Sequence, residues 1–200
     1  MWQDLRLEAK DLSCSRGGRL IFRDLNFSVA GGESLELRGP NGSGKSSLLR
    51  LLAGLNVPER GTVKLEPFRE SIAEACHYVG HSEAMKAALT VGQNIAFWQN
   101  FLGGDVKTPL ATFKLSKLVD DQAALLSEGQ RRRLALSRLA AISRPIWLLD
   151  EPSVGLDQSA LQDLKSMMQS HLGSGGMIVA ATHAELGLIT PKILNLEARN

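Results

Sequence analysis

One eight-residue segment, Gly39-Pro40-Asn41-Gly42-Ser43-Gly44-Lys45-Ser46, constrains what this chain can fold into. It fits the pattern G-x-x-x-x-G-K-[ST] of a phosphate-binding loop. Glycines let successive backbone N–H groups point into one concavity, the Lys45 ammonium can reach the β- and γ-phosphates of a nucleotide, and the Ser46 hydroxyl is a hard ligand suited to Mg²⁺. The alternating segment 34–38 predicts a strand before the loop and 47–53 predicts a helix after it, so the phosphates are expected at a helix N-terminus. The predicted phosphate-binding residues are Gly39, Pro40, Asn41, Gly42, Ser43, Gly44, Lys45, Ser46 and Ser47.

Composition bounds the remaining possibilities. Hydrophobic residues make up 44% and charged residues 22% of the 200 residues, which are ordinary values for one globular domain. The net charge of +2 argues against a nucleic-acid partner held by bulk electrostatics. No apolar run approaches the roughly 20 residues of a membrane helix, and the charged N-terminal segment predicts no signal peptide. Cys14 and Cys76 are expected to be free thiols of a cytosolic chain. If this chain works at a membrane, another chain would have to supply the membrane segments.

The remaining pattern predicts strands that alternate with helices, which is typical of a parallel sheet covered on both faces. Two antiparallel strands around a Gly17-Gly18 turn precede this region. The predicted strands are 5–9, 20–29, 62–65, 77–80, 146–149 and 177–181. The predicted helices are 90–98, capped by Thr90, then 129–142 and 158–172, with breaks at Gly103-Gly104 and Thr108-Pro109 and helical pieces around 113–118.

A second candidate element is Ile146–Glu151, a buried strand followed by two acids. Ligands of open α/β folds bind at this carboxyl edge of the sheet. Asp150 suits Mg²⁺, directly or through water, and Glu151 points elsewhere and can polarise a water that attacks the γ-phosphate. The alternative is a solvated pair of loop acids, but the upstream phosphate-binding loop favours a site.

A third element identifies a family. The segment Leu126-Ser127-Glu128-Gly129-Gln130 resembles the L-S-G-G-Q signature of ATP-binding cassette (ABC) ATPases. The other family motifs follow in order, with Ser153–Asp157 resembling the D-loop and Thr182-His183 the switch-histidine loop. The resemblance covers essentially the whole chain. It implies an α/β P-loop NTPase of ABC type, with a mostly parallel core sheet, an antiparallel β subdomain and an inserted helical subdomain at roughly 82–140 of a single domain, 1–200.

The resemblance also implies roles for individual residues. ATP is sandwiched between two copies of such a chain, which close on ATP and open after hydrolysis. Ser127, Gly129 and Gln130 would touch the nucleotide of the facing copy, and Asp157 would help to align that site, although it is also a candidate N-cap of the following helix. The implied catalytic residues are Glu151, His183 and Lys45, and the implied Mg²⁺ ligands are Ser46, Asp150 and His81.

Three positions depart from the family pattern. Glu128 replaces a glycine, and its carboxylate is expected to point away from a phosphate. His81 occupies the position of the usual glutamine, where a neutral imidazole can accept a hydrogen bond from a metal-bound water, or play no metal role. Arg16 lies where an aromatic residue usually stacks on adenine, and its guanidinium either stacks there or is solvated.

Within the family, the chain most resembles the ATP-binding subunits of bacterial cytochrome c maturation systems. That resemblance rests on the short cassette, His81, the segment 89–95 and Cys14-Ser15-Arg16. It implies a homodimer on the cytoplasmic face of the inner membrane, bound to the integral membrane subunits B, C and D. Hydrolysis would drive haem export or release of a haem-loaded chaperone, without haem binding by this chain itself.

Two rival interpretations remain. One is a cassette for another small solute or lipid, and the other is a soluble ABC ATPase switch without transport. An apolar groove in the helical region would favour a membrane partner. Phe97, Trp98 and Phe101 could line such a groove, although aromatic residues at this spacing are more often core.

Overall fold

The computed structural model describes residues 2–67, 71–102 and 107–197. Contacts divide it into two compact units. The first comprises Met1–Tyr78, Arg144–Glu151 and Met168–Asn200, and the second comprises Val79–Ser143 and Pro152–Met167. The phosphate-binding loop and the strand that carries Asp150 lie in the first unit, whereas the signature segment and the D-loop lie in the second.

An antiparallel sheet of three strands opens the first unit. Its strands are β1 (Arg6–Arg16), β2 (Arg19–Ala30) and β4 (Arg60–Glu66), in the order β2-β1-β4. The β1–β2 turn uses Gly17 and Gly18 at positive φ, as a tight hairpin requires. The predicted hairpin is therefore confirmed, with longer strands than the pattern indicated.

The second sheet of this unit has five strands in the order β5-β6-β7-β3-β8. They are β3 (Ser34–Arg38), β5 (Cys76–Val79), β6 (Ile146–Asp150), β7 (Met177–Ala181) and β8 (Lys192–Asn195). The pairs β6–β7, β7–β3 and β3–β8 are parallel. Every residue of β6 and β7 is buried, which explains their continuous apolar sequence. Strand β8 was not predicted.

Two helices, α1 (Lys45–Leu52) and α2 (Ile72–Ala75), lie wholly in the first unit. Helix α1 follows the phosphate-binding loop and packs against β6 and β7, and α2 is short. Cys14 and Cys76 are both free and buried, as predicted.

A buried histidine lies under β6. The His171 ring stacks on Trp147 at 4.0 Å between centroids, with an angle of 8° between the planes. A Cβ added to Gly176 would lie 2.3 Å from the same ring, so only glycine fits there. Burial lowers the pKa of His171 from 6.5 to about 4, although the backbone carbonyls of Met177 and Pro145 oppose the shift.

The second unit is mainly helical. Its helices are α3 (Val91–Leu102), α4 (Lys107–Thr112) and α5 (Glu128–Ala141), with 3₁₀ turns at Ser116–Leu118 and Ala123–Leu125. Helix α6 (Gln158–Gly173) begins in this unit and ends in the first. Within the residues described, no helix is both long and apolar enough to span a membrane.

The region around α4 corrects the sequence prediction. The break predicted at Thr108-Pro109 is wrong, because both residues lie in the first turn of α4. Proline is tolerated there since the backbone N–H groups of a first turn have no partner within the helix.

Thr90 caps α3 as predicted, since its side-chain oxygen accepts a hydrogen bond from the Gln93 amide at 3.2 Å. The predicted break at Gly103-Gly104 lies outside the described residues.

Candidate ATP-hydrolysis site

The phosphate-binding loop connects β3 to α1, as predicted. Gly39, Gly42 and Gly44 all have positive φ. A Cβ on Gly39 would lie 2.1 Å from the Leu196 carbonyl oxygen, and one on Gly44 would lie 2.5 Å from Ile21 Cγ2. The two flanking glycines are therefore required both by backbone conformation and by close packing.

Lys45 is held inside its own loop. Its side chain belongs to a residue only 8% exposed, and the ammonium donates hydrogen bonds to the carbonyls of Gly39 at 2.8 Å and Pro40 at 3.0 Å. The backbone amide of Ser43 also donates to Pro40, at 3.2 Å. The backbone of the loop thus surrounds the Lys45 ammonium, which is the one cationic side chain of the motif.

The structure brings Glu151 and His183 together at the carboxyl ends of β6 and β7. His183 Nε2 lies 3.7 Å from Glu151 Oε1, and the His183 backbone amide donates to Glu151 Oε2 at 3.4 Å. The Glu151 amide donates to the Ala181 carbonyl at 2.8 Å, which continues the β6–β7 ladder. Glu151 also has φ +48°, an uncommon conformation for a residue other than glycine.

The loop that carries His183 is stabilised by Thr182. The buried Thr182 hydroxyl exchanges hydrogen bonds with the backbone of Ala184, donating to its carbonyl and accepting from its amide, both at 3.0 Å. Gly39 and His183 line the same polar cavity of about 610 Å³. The cavity therefore connects the start of the phosphate-binding loop with His183.

Two hard oxygen donors of the kind that Mg²⁺ prefers lie in the first unit. Ser46 is the exposed second residue of α1, and Asp150 is the buried last residue of β6. Within the described chain, no group of three or more His, Cys, Asp or Glu side chains is placed to hold a metal ion. Mg²⁺ is commonly held by one or two protein oxygens together with substrate phosphates, which agrees with this donor set.

The signature segment forms the start of α5 in the second unit. Ser127 is the N-cap, and a reciprocal capping box joins it to Gln130, with distances of 3.3 Å from Gln130 N to Ser127 Oγ and 2.8 Å from Ser127 N to Gln130 Oε1. This local arrangement explains why a serine and a glutamine stand at this spacing. Both side chains serve the helix end, and both are the predicted contacts to a facing nucleotide.

The signature and the D-loop contact each other within the second unit. A Cβ on Gly129 would lie 2.8 Å from the Gly155 carbonyl oxygen. The Glu128 side chain lies against Gly155, with Cγ and Oε1 both 3.6 Å from where a Cβ of Gly155 would be. Asp157 Oδ1 accepts a hydrogen bond from the Ala160 amide at 2.8 Å, so its predicted N-cap role is confirmed.

Two candidate residues are exposed and stay predictions. His81 lies in the second unit, just beyond the end of β5, and Arg16 is the last residue of β1 at the hairpin turn.

Two residues near the candidate site were not predicted from the sequence. They are Leu196, which touches the phosphate-binding loop, and the buried Arg132 of α5. Arg132 lies four residues before Leu136 on the apolar side of α5, and that spacing could have indicated burial.

An aromatic surface lies on α3. It consists of Phe97, Trp98 and Phe101, whose rings meet edge to face at 5.4 Å and 6.4 Å. Phe101 is 74% exposed and Phe97 is 40% exposed, so the core interpretation is wrong for these two residues, whereas Trp98 is partly buried. Lys86 lies over the Phe97 ring and Arg138 over the Trp98 ring, at 4.5 Å and 4.9 Å.

Comparison with known proteins agrees with these motifs. The family model described as "ABC transporter" matches residues 22–154. Similar curated proteins carry the name cytochrome c biogenesis ATP-binding export protein CcmA. The protein of Rhodopseudomonas palustris (strain HaA2) is 48% identical over 93% of this chain and 96% of its own length. That of Bradyrhizobium diazoefficiens is 47% identical over 92% of this chain and 94% of its own length. That of Brucella abortus (strain 2308) is 44% identical over 92% of this chain and 88% of its own length.

Two solved structures share the fold. An ATP-binding subunit of an ABC transporter superposes with a TM-score of 0.84 at 23% identity, covering 97% of this chain and 88% of that one. A dimeric ATP-binding cassette with bound ADP and phosphate has a TM-score of 0.81 at 21% identity, covering 97% of both chains. The predicted α/β fold of ABC type is confirmed. The chain belongs to the ABC transporter family, in its branch of cytochrome c biogenesis ATP-binding export proteins.

Proposed function

We propose that this chain is the ATP-hydrolysing subunit of a bacterial ABC exporter for c-type cytochrome biogenesis. The observation that carries the enzymatic part is the contact between Glu151 and His183, in the unit that also holds the phosphate-binding loop. The observation that carries the biological part is an identity of 44–48% to proteins named for that export role.

In the proposed reaction, the N-terminus of α1 and the backbone amides of the loop hold the phosphates of ATP. The Lys45 ammonium exchanges its two carbonyl partners for the β- and γ-phosphate oxygens. Ser46 and Asp150 would hold Mg²⁺, which supplies charge neutralisation at the phosphates when bound.

Glu151 is proposed to polarise the attacking water. Its carboxylate accepts a hydrogen bond from the His183 amide, which limits its orientations. The exposed His183 ring lies 3.7 Å from the Glu151 carboxylate, and it is proposed to bind both the γ-phosphate and the water that Glu151 activates. The two side chains would act together on that water.

A second copy of the chain is proposed to complete each site. The N-terminus of α5, together with the Ser127 hydroxyl, Gly129 and Gln130, would bind the γ-phosphate of the facing copy. The capping box supports this role because it holds Ser127 and Gln130 at the helix end in advance of ligand binding. Asp157 would align the facing site from the neighbouring D-loop, and His81 would reach the metal through water.

The aromatic surface on α3 is the proposed contact for a membrane subunit. Exposed aromatic residues of this size mark interaction sites on soluble units. The partners would be integral membrane subunits of the B, C and D types, with this chain attached peripherally on the cytoplasmic face of the inner membrane. The cargo-related step would be haem export or release of a haem chaperone, and we propose no haem site in this chain.

Substitution of Glu151 tests the enzymatic part. Glu151→Gln is expected to retain ATP binding, nearly stop turnover and trap a closed dimer that size-exclusion chromatography detects. Glu74→Gln, the same change at an exposed carboxylate of α2, is the control and should leave turnover unchanged. Undiminished hydrolysis by Glu151→Gln would remove Glu151 from the proposed role.

Copurification tests the biological part. The chain, isolated from membranes with ATP and Mg²⁺, should carry a polytopic subunit of a cytochrome c biogenesis system, and Phe101→Asp should release it. A polytopic partner from another solute or lipid exporter would support the rival transporter. A chain that stays entirely in the soluble fraction would support the soluble switch.

A further inference from the structure

Arg132 is a buried cation on the helix that begins at the signature. It is 4% exposed and lies five residues after the N-cap Ser127 of α5. An arginine is almost never fully buried unless its guanidinium has partners, because an unpaired charge is expensive to remove from water. The partners of Arg132 therefore show what this side chain does.

Two backbone carbonyls receive hydrogen bonds from Arg132, and all three residues lie in the second unit. Nη1 donates to the Gly80 carbonyl at 3.1 Å, and Nε donates to the Pro152 carbonyl at 3.4 Å. Gly80 and Pro152 are both buried. The rigid, planar guanidinium can serve two acceptors at once, which an ammonium on a flexible chain does less well.

Each of these carbonyls is next in the chain to a predicted site residue. Gly80 immediately precedes His81, and Pro152 immediately follows Glu151. Glu151 holds an uncommon left-handed backbone conformation, which has to be maintained by the residues around it. A bond that fixes the carbonyl of the next residue restrains the chain at this point.

We propose that Arg132 is a positioning residue, which links the phosphate-binding end of α5 to the backbone beside His81 and Glu151. When the α5 N-terminus engages the nucleotide of a facing copy, Arg132 holds the carbonyls of Gly80 and Pro152, the chain neighbours of His81 and Glu151, against that helix. The proposal rests on the proposed ATPase function and deepens it. It assigns the residue an effect on the hydrolytic step and none on nucleotide binding by the phosphate-binding loop.

A matched comparison distinguishes this role from simple structural support. Arg144 Nη1 also bridges two backbone carbonyls, those of Ala73 at 3.0 Å and Cys76 at 2.8 Å. Those carbonyls are not adjacent to a predicted site residue. Loss of Arg144 therefore removes the same kind of bond without disturbing the site.

The experiment measures ATP hydrolysis by the full-length chain and its Arg132→Gln, Arg132→Lys and Arg144→Gln variants. Arg132→Gln should lower kcat by about tenfold or more, with the affinity for ATP within about twofold of the unmodified chain. Arg132→Lys should recover part of kcat, since an ammonium can reach only one of the two carbonyls well. Arg144→Gln should lower Tm while kcat is retained.

Three outcomes would overturn the proposal. The first is a full kcat in Arg132→Gln. The second, which applies if the glutamine variant does not fold, is a full kcat in Arg132→Lys. The third is an equal loss of kcat in the Arg132 and Arg144 variants when their losses of Tm are equal. Failure of the proposed function itself would look different, because the unmodified chain would then not hydrolyse ATP.

Discussion

Glu151 shows how a single residue can be fixed by the ends of two strands. Its amide completes the β6–β7 ladder and its carboxylate receives the amide of His183, while its own φ is +48°. A left-handed backbone at a residue other than glycine costs of the order of 1 kcal/mol and persists where its surroundings determine it. The conformation directs the side chain away from the buried row of β6 toward the His183 loop.

Lys45 gives a direct test of the phosphate-binding loop. Lys45→Ala removes the only side-chain cation of the motif, so the affinity for Mg-ATP should fall by about tenfold or more. Isothermal titration calorimetry measures the change. The control is Lys117→Ala, an exposed lysine of the second unit, which should bind ATP normally. Equal affinity in the Lys45 variant would contradict the assignment.

His81 tests a departure from the family pattern. A neutral imidazole and a side-chain amide can both accept a hydrogen bond from a metal-bound water, so His81→Gln should keep near-normal kcat. His81→Phe, which offers no acceptor, should reduce kcat and raise the Mg²⁺ concentration needed for half-maximal rate. If the glutamine variant is inactive, the histidine has a role that an amide cannot perform.

At the residue scale, the sequence indicated a candidate chemistry but few of the contacts. Motif spacing and the family resemblance nominated Lys45, Glu151 and His183, and their catalytic roles stay predictions. Motif spacing did not identify Arg132, because the arginine run 131–133 resembles a solvated helix face unless the four-residue spacing from Arg132 to Leu136 is taken into account. It also did not reveal that Glu128 would lie on Gly155, a contact between segments 27 positions apart in the chain.

At the scale of elements, α5 combines a structural cap with a proposed binding function at one residue. Ser127 closes the capping box and is also the proposed contact to a facing γ-phosphate. A substitution that keeps the cap but changes the charge can therefore separate the two roles. Aspartate is such a residue, because it caps helices as well as serine does.

Ser127→Asp should be as stable as the unmodified chain but should hydrolyse ATP slowly, because its carboxylate repels the γ-phosphate of the facing copy. Ser127→Ala should lose about 1 kcal/mol of unfolding free energy together with the hydroxyl contact. Urea unfolding and ATP hydrolysis measure the two effects. An active aspartate variant would exclude a phosphate contact at this position.

Secondary-structure elements were predicted correctly where the apolar pattern or a helix cap was clear, and they were missed where tertiary contacts define the element. The buried strands β6 and β7 and the helices α3, α5 and α6 followed from periodicity and caps. Three of the four residues of β8 are exposed, the fourth is partly buried, and the sequence does not alternate, so that only the parallel pairing with β3 defines them as a strand. At α4, Pro109 was interpreted as a break although a proline is compatible with the first turn of a helix.

At the scale of the whole molecule, the buried His171 makes stability depend on pH. Its folded pKa is about 4, whereas the unfolded chain binds the proton near the ordinary value of 6.5. The unfolded state therefore gains the proton first. The contribution of the neutral His171 to the free energy of unfolding is complete above pH 6.5 and decreases as the pH falls from 6.5 to 4. It reaches its minimum below pH 4, where the free energy of unfolding has fallen by about 3 kcal/mol in total.

Urea unfolding between pH 7.5 and pH 4 measures this loss. In His171→Gln, which cannot take up a proton, the slope between pH 6.5 and 4 should be smaller, at the expense of the stacking on Trp147. The exposed His183 provides the control, and His183→Gln should retain the full slope. An unchanged slope in His171→Gln would mean that another group accounts for the acid sensitivity.

The neighbour of Gly39 has a consequence for synthesis of the protein. The wall against this glycine is the Leu196 carbonyl, and the amide of Leu196 donates to the Arg38 carbonyl at 2.7 Å. Gly39 precedes Leu196 by 157 positions (196 − 39), so a chain still being synthesised has its glycine-rich turn long before it has this wall. The turn therefore reaches its final packing only after β8 has been made and has paired with β3, and ATP binding is expected no earlier than that pairing.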